Sequence, residues 1–376
     1  MDITLLLNQL KSDFYTGVPD SQLKALCDYL MNNVGISDDH IIAANEGNSV
    51  ALAAGYYLAT GKIPVVYMQN SGIGNIINPV ASLLNEKVYG IPCIFIIGWR
   101  GEPGVHDEPQ HIFQGEISQK LLEDIGLHVI ILSKDTSEKE LEEELAGVWP
   151  VLARGKSVAF LVRKKALVYE DKVIYKNSCK MLREKVIEHV AEAAREDVII
   201  STTGKASREL YEIRDRKGQG HQQDFLTVGS MGHASSIALG IAIKKPGLKV
   251  WCIDGDGAVL MHMGAMAVIG SRRPSNMVHI IINNEAHETV GGMPTATVAV
   301  DMKKIAEGCG YPFFVTVNTY EELDRALLET KSRDALTLIE ARCAIGSRAN
   351  LGRPVTSAQE NKNVFMEYLR CAKENK

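Results

Sequence analysis

No stretch of this sequence is apolar for the roughly 18 residues that a membrane-spanning helix needs, and no block of like charges interrupts it. The first absence predicts a chain that does not enter a membrane. The second argues against nucleic acid as a partner, because a face that binds phosphate backbones needs clustered Lys and Arg. Paired cysteines are missing as well. The seven thiols (Cys27, Cys93, Cys179, Cys252, Cys309, Cys343 and Cys371) are odd in number, scattered and never in a C-x-x-C pair. Most sit in apolar stretches, as free buried thiols do, and a reducing cytoplasm is the expected setting. The segment MDITLLLNQLKSDFY has neither a cationic lead nor a small-residue cleavage site, so it is predicted to be a folded first helix rather than a signal peptide. A net charge of −5 offers no general field for an anionic ligand, which would need a local cluster of positive groups.

What is present is the grammar of two α/β domains, for which 376 residues suffice. In the first half, helices are predicted around 21–33 and 46–60, and short apolar strands at 65–68, 93–98, 129–132 and 158–162. In the second half, strands are predicted at 198–201, 250–253, 278–282, 314–317 and 336–340, with helices near 181–194, 205–216, 232–244, 320–331 and 358–372. Short apolar runs separated by helices imply doubly wound parallel sheets covered on both faces. The domain expectation is 1–165, a linker over 166–180 within the charged stretch RKKALVYEDKVIYKNSCK, and 181–376. Ligands of such sheets bind beyond the carboxyl ends of the strands.

The segment WCIDGDGAVLMHMGAMAVIGSRRPSNMVHIIINNEAHETVGGMP is the most informative. One apolar strand runs into Asp254-Gly255-Asp256-Gly257, another into Asn283-Asn284, and the intervening residues leave room for a helix. Parallel strands so connected bring a carboxylate and an amide oxygen to one sheet edge. Hard oxygen donors with few charges suit Mg²⁺, which shares its shell with phosphates. A calcium EF-hand loop starting at Asp254 would need a carboxylate where Ala265 stands. An acidic turn that only caps a helix is the bland alternative.

A GDG turn, a helix and an NN pair together resemble the signature of thiamine diphosphate enzymes. The resemblance implies thiamine diphosphate and Mg²⁺ as cofactors, a first domain for the pyrimidine and a second for the diphosphate. It implies Asp256, the Asn284 side chain and the Ala286 carbonyl as metal ligands, with Gly257 and Ala258 beside the diphosphate. Glu285 stands where relatives often have glycine. The string IIAANEGNSVALAAGYYLATGKIPVVYM resembles the pyrimidine-binding segment. There Glu46 would hydrogen-bond the aminopyrimidine and hold a proton, as a buried carboxyl can; otherwise it is a first-turn glutamate behind an Asn45 cap. Asn70 is expected near the same ring. In VGSMGHASSIALGIA, the resemblance puts the Gly229 carbonyl on the pyrimidine and Met231 under the bent cofactor, with Ser230 between them. A dinucleotide fingerprint fails here because two residues, not one, separate Gly229 from Gly232.

The chain leaves no room for the central third domain of longer family members. The strings GVPDSQLK, GWRGEPGVHDEPQH, NNEAHETVGGMPT and GSRANLGRP resemble those of phosphonopyruvate decarboxylases. The implied reaction is loss of CO₂ from 3-phosphonopyruvate to give phosphonoacetaldehyde, a step of phosphonate biosynthesis. Asp20, His106, Asp107 and His111 are then candidates for proton transfer, although Asp20 could equally cap the helix over 21–33. Arg100, Arg348 and Arg353 are candidate phosphonate contacts, with Lys205 and Arg208 behind them, and His287 faces the substrate or only packs. Alternatives are sulfopyruvate or another short oxoacid, a non-catalytic cofactor-binding subunit, and a dehydrogenase, whose fingerprint is absent. The family pattern further implies self-association, with each site shared between subunits.

Overall fold

The structure is a computed structural model that describes residues 1–372. Two compact units are evident. The first comprises Met1–Ile174 with Val290–Met293, and the second Tyr175–Thr289 with the residues from Pro294 onward.

In the first unit, six strands form one parallel sheet: β1 (Tyr15–Gly17), β2 (His40–Ile42), β3 (Val65–Gln69), β4 (Ile94–Gly98), β5 (His128–Leu132) and β6 (Val158–Val162). Their order is β2-β1-β3-β4-β6-β5. Every residue of β4 and β6 is buried, which explains why these strands read as unbroken apolar runs rather than alternating ones. Each fully buried Ile, Val or Phe contributes about 1.5–3 kcal/mol of transfer free energy. Register aligns the strand ends, with Gln69 opposite Gly98 and Gly98 opposite Val162. The residues that follow β1, β3, β4 and β6 therefore emerge together at one edge. The helix Glu46–Thr60 starts where the Asn45 side chain accepts from the Gly47 N–H (2.7 Å) and stops at Gly61, whose φ is 69°. Its small residues Ala53 and Ala54 pack into the core beside Met68 and Ile76.

The second unit holds β7 (Val198–Ser201), β8 (Asp224–Leu226), β9 (Val250–Gly255) and β10 (Met277–Asn283). Two two-residue strands follow in sequence, β11 (Ala286–His287) and β12 (Met293–Pro294, whose first residue is counted with the first unit), and then β13 (Phe313–Val317) and β14 (Thr337–Arg342). The large sheet has the order β13-β14-β10-β9-β7-β8 and is parallel throughout. Side chains alternate between two cores: Trp251 and Ile253 enter one, Val250 and Cys252 the other. Both sheets match the fold class expected from the sequence.

Some boundaries differ from expectation. The helix predicted over 21–33 begins at Lys24 after a turn, with Leu23 at its cap. Asp20 therefore does not cap it; its carboxylate accepts from the Gln22 N–H inside the turn (3.2 Å). Strand β9 continues two residues past Ile253 to Gly255, because Ile281 and Ile282 of β10 still pair with Asp254 and Gly255. The helix predicted from 232 begins at Ala234. Gly229, Ser230 and Gly232 all have positive φ, and a turn of that kind cannot continue a right-handed helix.

Candidate active site

At the carboxyl edge of the first sheet, Glu46 is 5% exposed. Its carboxylate accepts from the Asn75 amide at 2.7 Å. Burial pushes its pKa above the ordinary carboxylate value, and the Asn75 bond opposes this only in part. Space for the side chain comes from Gly72, where a Cβ would stand 2.5 Å from Glu46 Cγ and Oε1. Asp20 is fully buried and its carboxyl is likewise pushed up, chiefly by burial, against bonds from Gln69 (2.6 Å) and Gln22. The last residue of β4 is glycine for a reason: a Cβ on Gly98 would overlap Asp20 Oδ2. Two buried acids able to hold protons thus lie at one edge of this unit.

The loop after β4 is locked from within. Arg100 makes a two-armed ion pair with Asp107 through Nε (2.7 Å) and Nη2, and the Gly101 and Glu108 N–H groups also donate to that carboxylate (2.9 and 2.8 Å). Burial alone would raise the Asp107 carboxyl, but these donors hold it well below the usual range. Asn70 ties β3 to this loop. Its amide donates to the Arg100 carbonyl (2.8 Å) and the Ser118 hydroxyl (2.9 Å), and its oxygen accepts from the Arg100 N–H (3.0 Å). These bonds engage Asn70 on the loop itself. His111 is buried and burial, aided by Arg100, lowers it to about 4, so it is neutral at physiological pH. His106 is exposed.

In the second unit, Asp256 opens a short helix directly after β9. Burial raises its carboxyl to about 6, although the hydroxyls of Thr295 (2.6 Å) and Thr297 (2.9 Å) both donate to Oδ2. After β10, Asn284 is oriented by Glu288, which accepts from its amide at 2.9 Å. Glu288 in turn pairs with Arg183 (2.7 Å) and Lys205 (3.0 Å), and Arg183 pairs with Glu209 (2.7 Å). Asn177 donates to the Asn284 carbonyl (3.0 Å). Glu285 adopts φ 60°, the left-handed region, and its carboxylate pairs with Arg342. Ala286 and His287 are buried, and burial lowers His287 to about 4. A Cβ on Gly257 would meet His287 Cε1 at 3.3 Å and Met231 Cε at 3.4 Å, so Met231 and His287 both reach the Asp256 turn. Gly229 donates its N–H to Thr203 (2.9 Å), and Ser230 beside it is exposed.

This donor set fits a divalent cation. Asp256 is a buried carboxylate whose hydrogen-bond donors, apart from backbone N–H groups, are two neutral hydroxyls, and an uncompensated buried anion is costly. The Asn284 amide oxygen and the Ala286 carbonyl are further hard donors that follow β10, the strand paired with β9, at the same sheet edge. A different group, Cys252, Asp254 and His279, also brings ligand-type atoms within 4.8 Å of one another. That group lies inside the core, where the His279 ring bonds Tyr311 (3.1 Å) and Asp254 Oδ1 accepts from the Gly255 N–H (3.0 Å).

The remaining candidates are scattered. Arg348 is held by Glu184 (3.0 Å) and Glu212. Arg353 is exposed, and Arg208 donates to the carbonyls of Gly352 (2.6 Å) and Leu351. Sequence reasoning missed Thr295, Thr297, Glu288, Asn75 and Gly72. The threonines stand in a T-x-T spacing, which by itself does not point to Asp256.

The thiamine pyrophosphate enzyme N-terminal TPP binding domain matches residues 2–122, and the C-terminal TPP binding domain of the same enzymes matches residues 202–341. The chain belongs to the thiamine pyrophosphate enzymes. Within them it is 33% identical to a phosphonopyruvate decarboxylase of Streptomyces viridochromogenes, over 98% of this chain and 94% of the relative. It is 32% identical to the phosphonopyruvate decarboxylase of Streptomyces hygroscopicus, over 94% of this chain and 89% of the relative. A sulfopyruvate decarboxylase of Methanosarcina acetivorans is 27% identical, over 98% of this chain and 97% of the relative. No helix among the described residues is long and apolar enough to cross a membrane.

Proposed function

We propose that this protein is a carboxy-lyase that uses thiamine diphosphate and Mg²⁺ to convert 3-phosphonopyruvate to phosphonoacetaldehyde and CO₂. The observation that carries the substrate is likeness along nearly the whole of both chains to two phosphonopyruvate decarboxylases, closer than to the sulfopyruvate enzyme. Bound thiamine diphosphate supplies an electron sink for the carbon–carbon bond that breaks. Asp256, Asn284 and the Ala286 carbonyl hold the metal, with Gly257 and Ala258 against the diphosphate. The Arg183–Glu209–Glu288–Lys205 network keeps Asn284 in place. Glu46 keeps a proton at its carboxyl and presents it to the pyrimidine ring. Met231 and Gly229 support the same cofactor.

The substrate carbon that loses CO₂ must gain one proton to become the aldehyde. Asp20, buried and biased towards its protonated form, is the group suited to give it. His111, neutral, can pass a proton only as a base or through its neutral N–H. Asp107 is held ionised by Arg100 and acts by positioning the loop.

A coupled aldehyde assay comparing phosphonopyruvate, sulfopyruvate and pyruvate tests the reading. The expected result is a kcat/KM for phosphonopyruvate at least about tenfold above either competitor, roughly 1.4 kcal/mol of transition-state discrimination. A preference for sulfopyruvate would replace the substrate while leaving the reaction class.

A further inference from the structure

The first unit contains a cleft of about 430 Å³ whose lining combines Lys24, Arg100, Lys164 and Lys165 with the Ser21 hydroxyl and the Trp99 ring. Its position follows from the sheet. Ser21 comes from the turn after β1, Trp99 and Arg100 from the end of β4, and Lys164 and Lys165 from the turn after β6. The buried Asp20 directly precedes Ser21 and Gln22 of this lining, and its carboxyl lies in the field of Arg100.

The charges here are unequal in availability. Arg100 is neutralised by Asp107, and Lys24 is drawn to Asp28 at 2.7 Å. Glu102, the remaining acid of the lining, is taken up by Arg163 at 2.7 Å. Lys164 and Lys165 make no ion pair among the described residues, and both are exposed. They are displayed on a tight turn closed by a bond from the Ala166 N–H to the Arg163 carbonyl (3.1 Å). Lys165 sits there at φ 64°, a left-handed conformation that side chains other than Asn and Asp avoid without compensation. The cleft thus has acids already matched and two ammonium groups left over.

We propose that Lys164 and Lys165 bind the phosphonate dianion of the substrate, with Ser21 as a hydroxyl donor and the locked Arg100–Asp107 pair shaping the wall beside them. This rests on the proposed function for the identity of the substrate and reassigns its anion site, since Arg348 is held by two glutamates elsewhere. Two flexible ammonium groups suit a dianion carried at the end of a small molecule.

The test uses the full chain and two readouts. Calorimetric titration with methylphosphonate measures the cleft without turnover, and steady-state kinetics with phosphonopyruvate measure its use. In the Lys164→Ala/Lys165→Ala variant, methylphosphonate affinity is expected to fall and KM for phosphonopyruvate to rise by about tenfold or more, as loss of charge-assisted bonds implies. kcat should change little, and Lys→Arg at both positions should restore most of the binding. Methylphosphonate should inhibit the wild type competitively. Unchanged methylphosphonate affinity in the double variant, or non-competitive inhibition, overturns the assignment. Should another oxoacid prove to be the substrate, the proposed function fails in the assay, while the titration still decides whether these lysines hold a phosphonate.

Discussion

Burial does most of the electrostatic tuning at the level of single residues. It raises Glu46, Asp20 and Asp256 and lowers His111 and His287, in each case favouring the neutral form. For His111 the consequence is measurable as stability. Its folded pKa of about 4 lies below the ordinary 6.5, so between these values the unfolded chain binds a proton that the folded chain refuses. Stability from this group is complete above pH 6.5 and is lost as pH falls towards 4. Linkage gives a loss of about 2 kcal/mol between pH 7 and pH 5. Denaturant unfolding of the wild type and of His111→Asn at both pH values should show a smaller pH 7-to-5 loss in the variant by about that amount. Equal pH dependence in the two proteins would show that His111 is accessible and titrates normally.

At the scale of elements, the turns decide what the strands can present. Sequence alone makes the ends of β9 and β10 legible, because Asp254-Gly255-Asp256-Gly257 and Asn283-Asn284 are short-range patterns attached to apolar runs. It makes the Asn45 cap and the helix from Glu46 legible for the same reason. Thr295, Thr297, Glu288 and Gly72 are not legible, since they reach Asp256, Asn284 and Glu46 by chain reversals that no periodicity records. Arg348 illustrates the opposite error. Its place in a glycine- and proline-bearing loop suggests a ligand contact, yet Glu184 and Glu212 hold it. Glu285 shows how a local departure is accommodated. Its φ of 60° is where glycine rests without strain, and the Arg342 ion pair offsets part of the cost. Glu285→Gly should therefore leave stability unchanged or raise it by up to about 1 kcal/mol, as relief of strain competes with a pair worth about 0.2–1 kcal/mol. Glu285→Val should lose about 1–3 kcal/mol, because a β-branched residue tolerates that region poorly. Thermal unfolding of the two variants decides it, and a valine variant as stable as the glycine one would remove the strain argument.

For the molecule as a whole, the proposed chemistry is divided between the two units. Glu46 belongs to the first and Asp256 to the second, and the family resemblance implies a pyrimidine held by one subunit and a diphosphate held by its neighbour. We propose an obligate dimer or larger assembly, with each site built from the first unit of one chain and the second unit of another. Glu46→Gln removes the buried carboxyl proposed to face the pyrimidine, and Asp256→Ala removes the buried carboxylate proposed to bind the metal, so each variant alone should be nearly inactive. When the two are dissociated, mixed and reassembled, about half of the dimers are mixed by random pairing. In a mixed dimer, one site receives both unmutated halves and the other receives both mutated ones. About a quarter of wild-type activity should return. The exchange itself can be followed by a mass tag on one variant, so that failure of activity is not confused with failure of mixing. If tagged mixed dimers form and activity stays absent, Glu46 and Asp256 serve one site within a single chain, and the shared-site assembly is wrong.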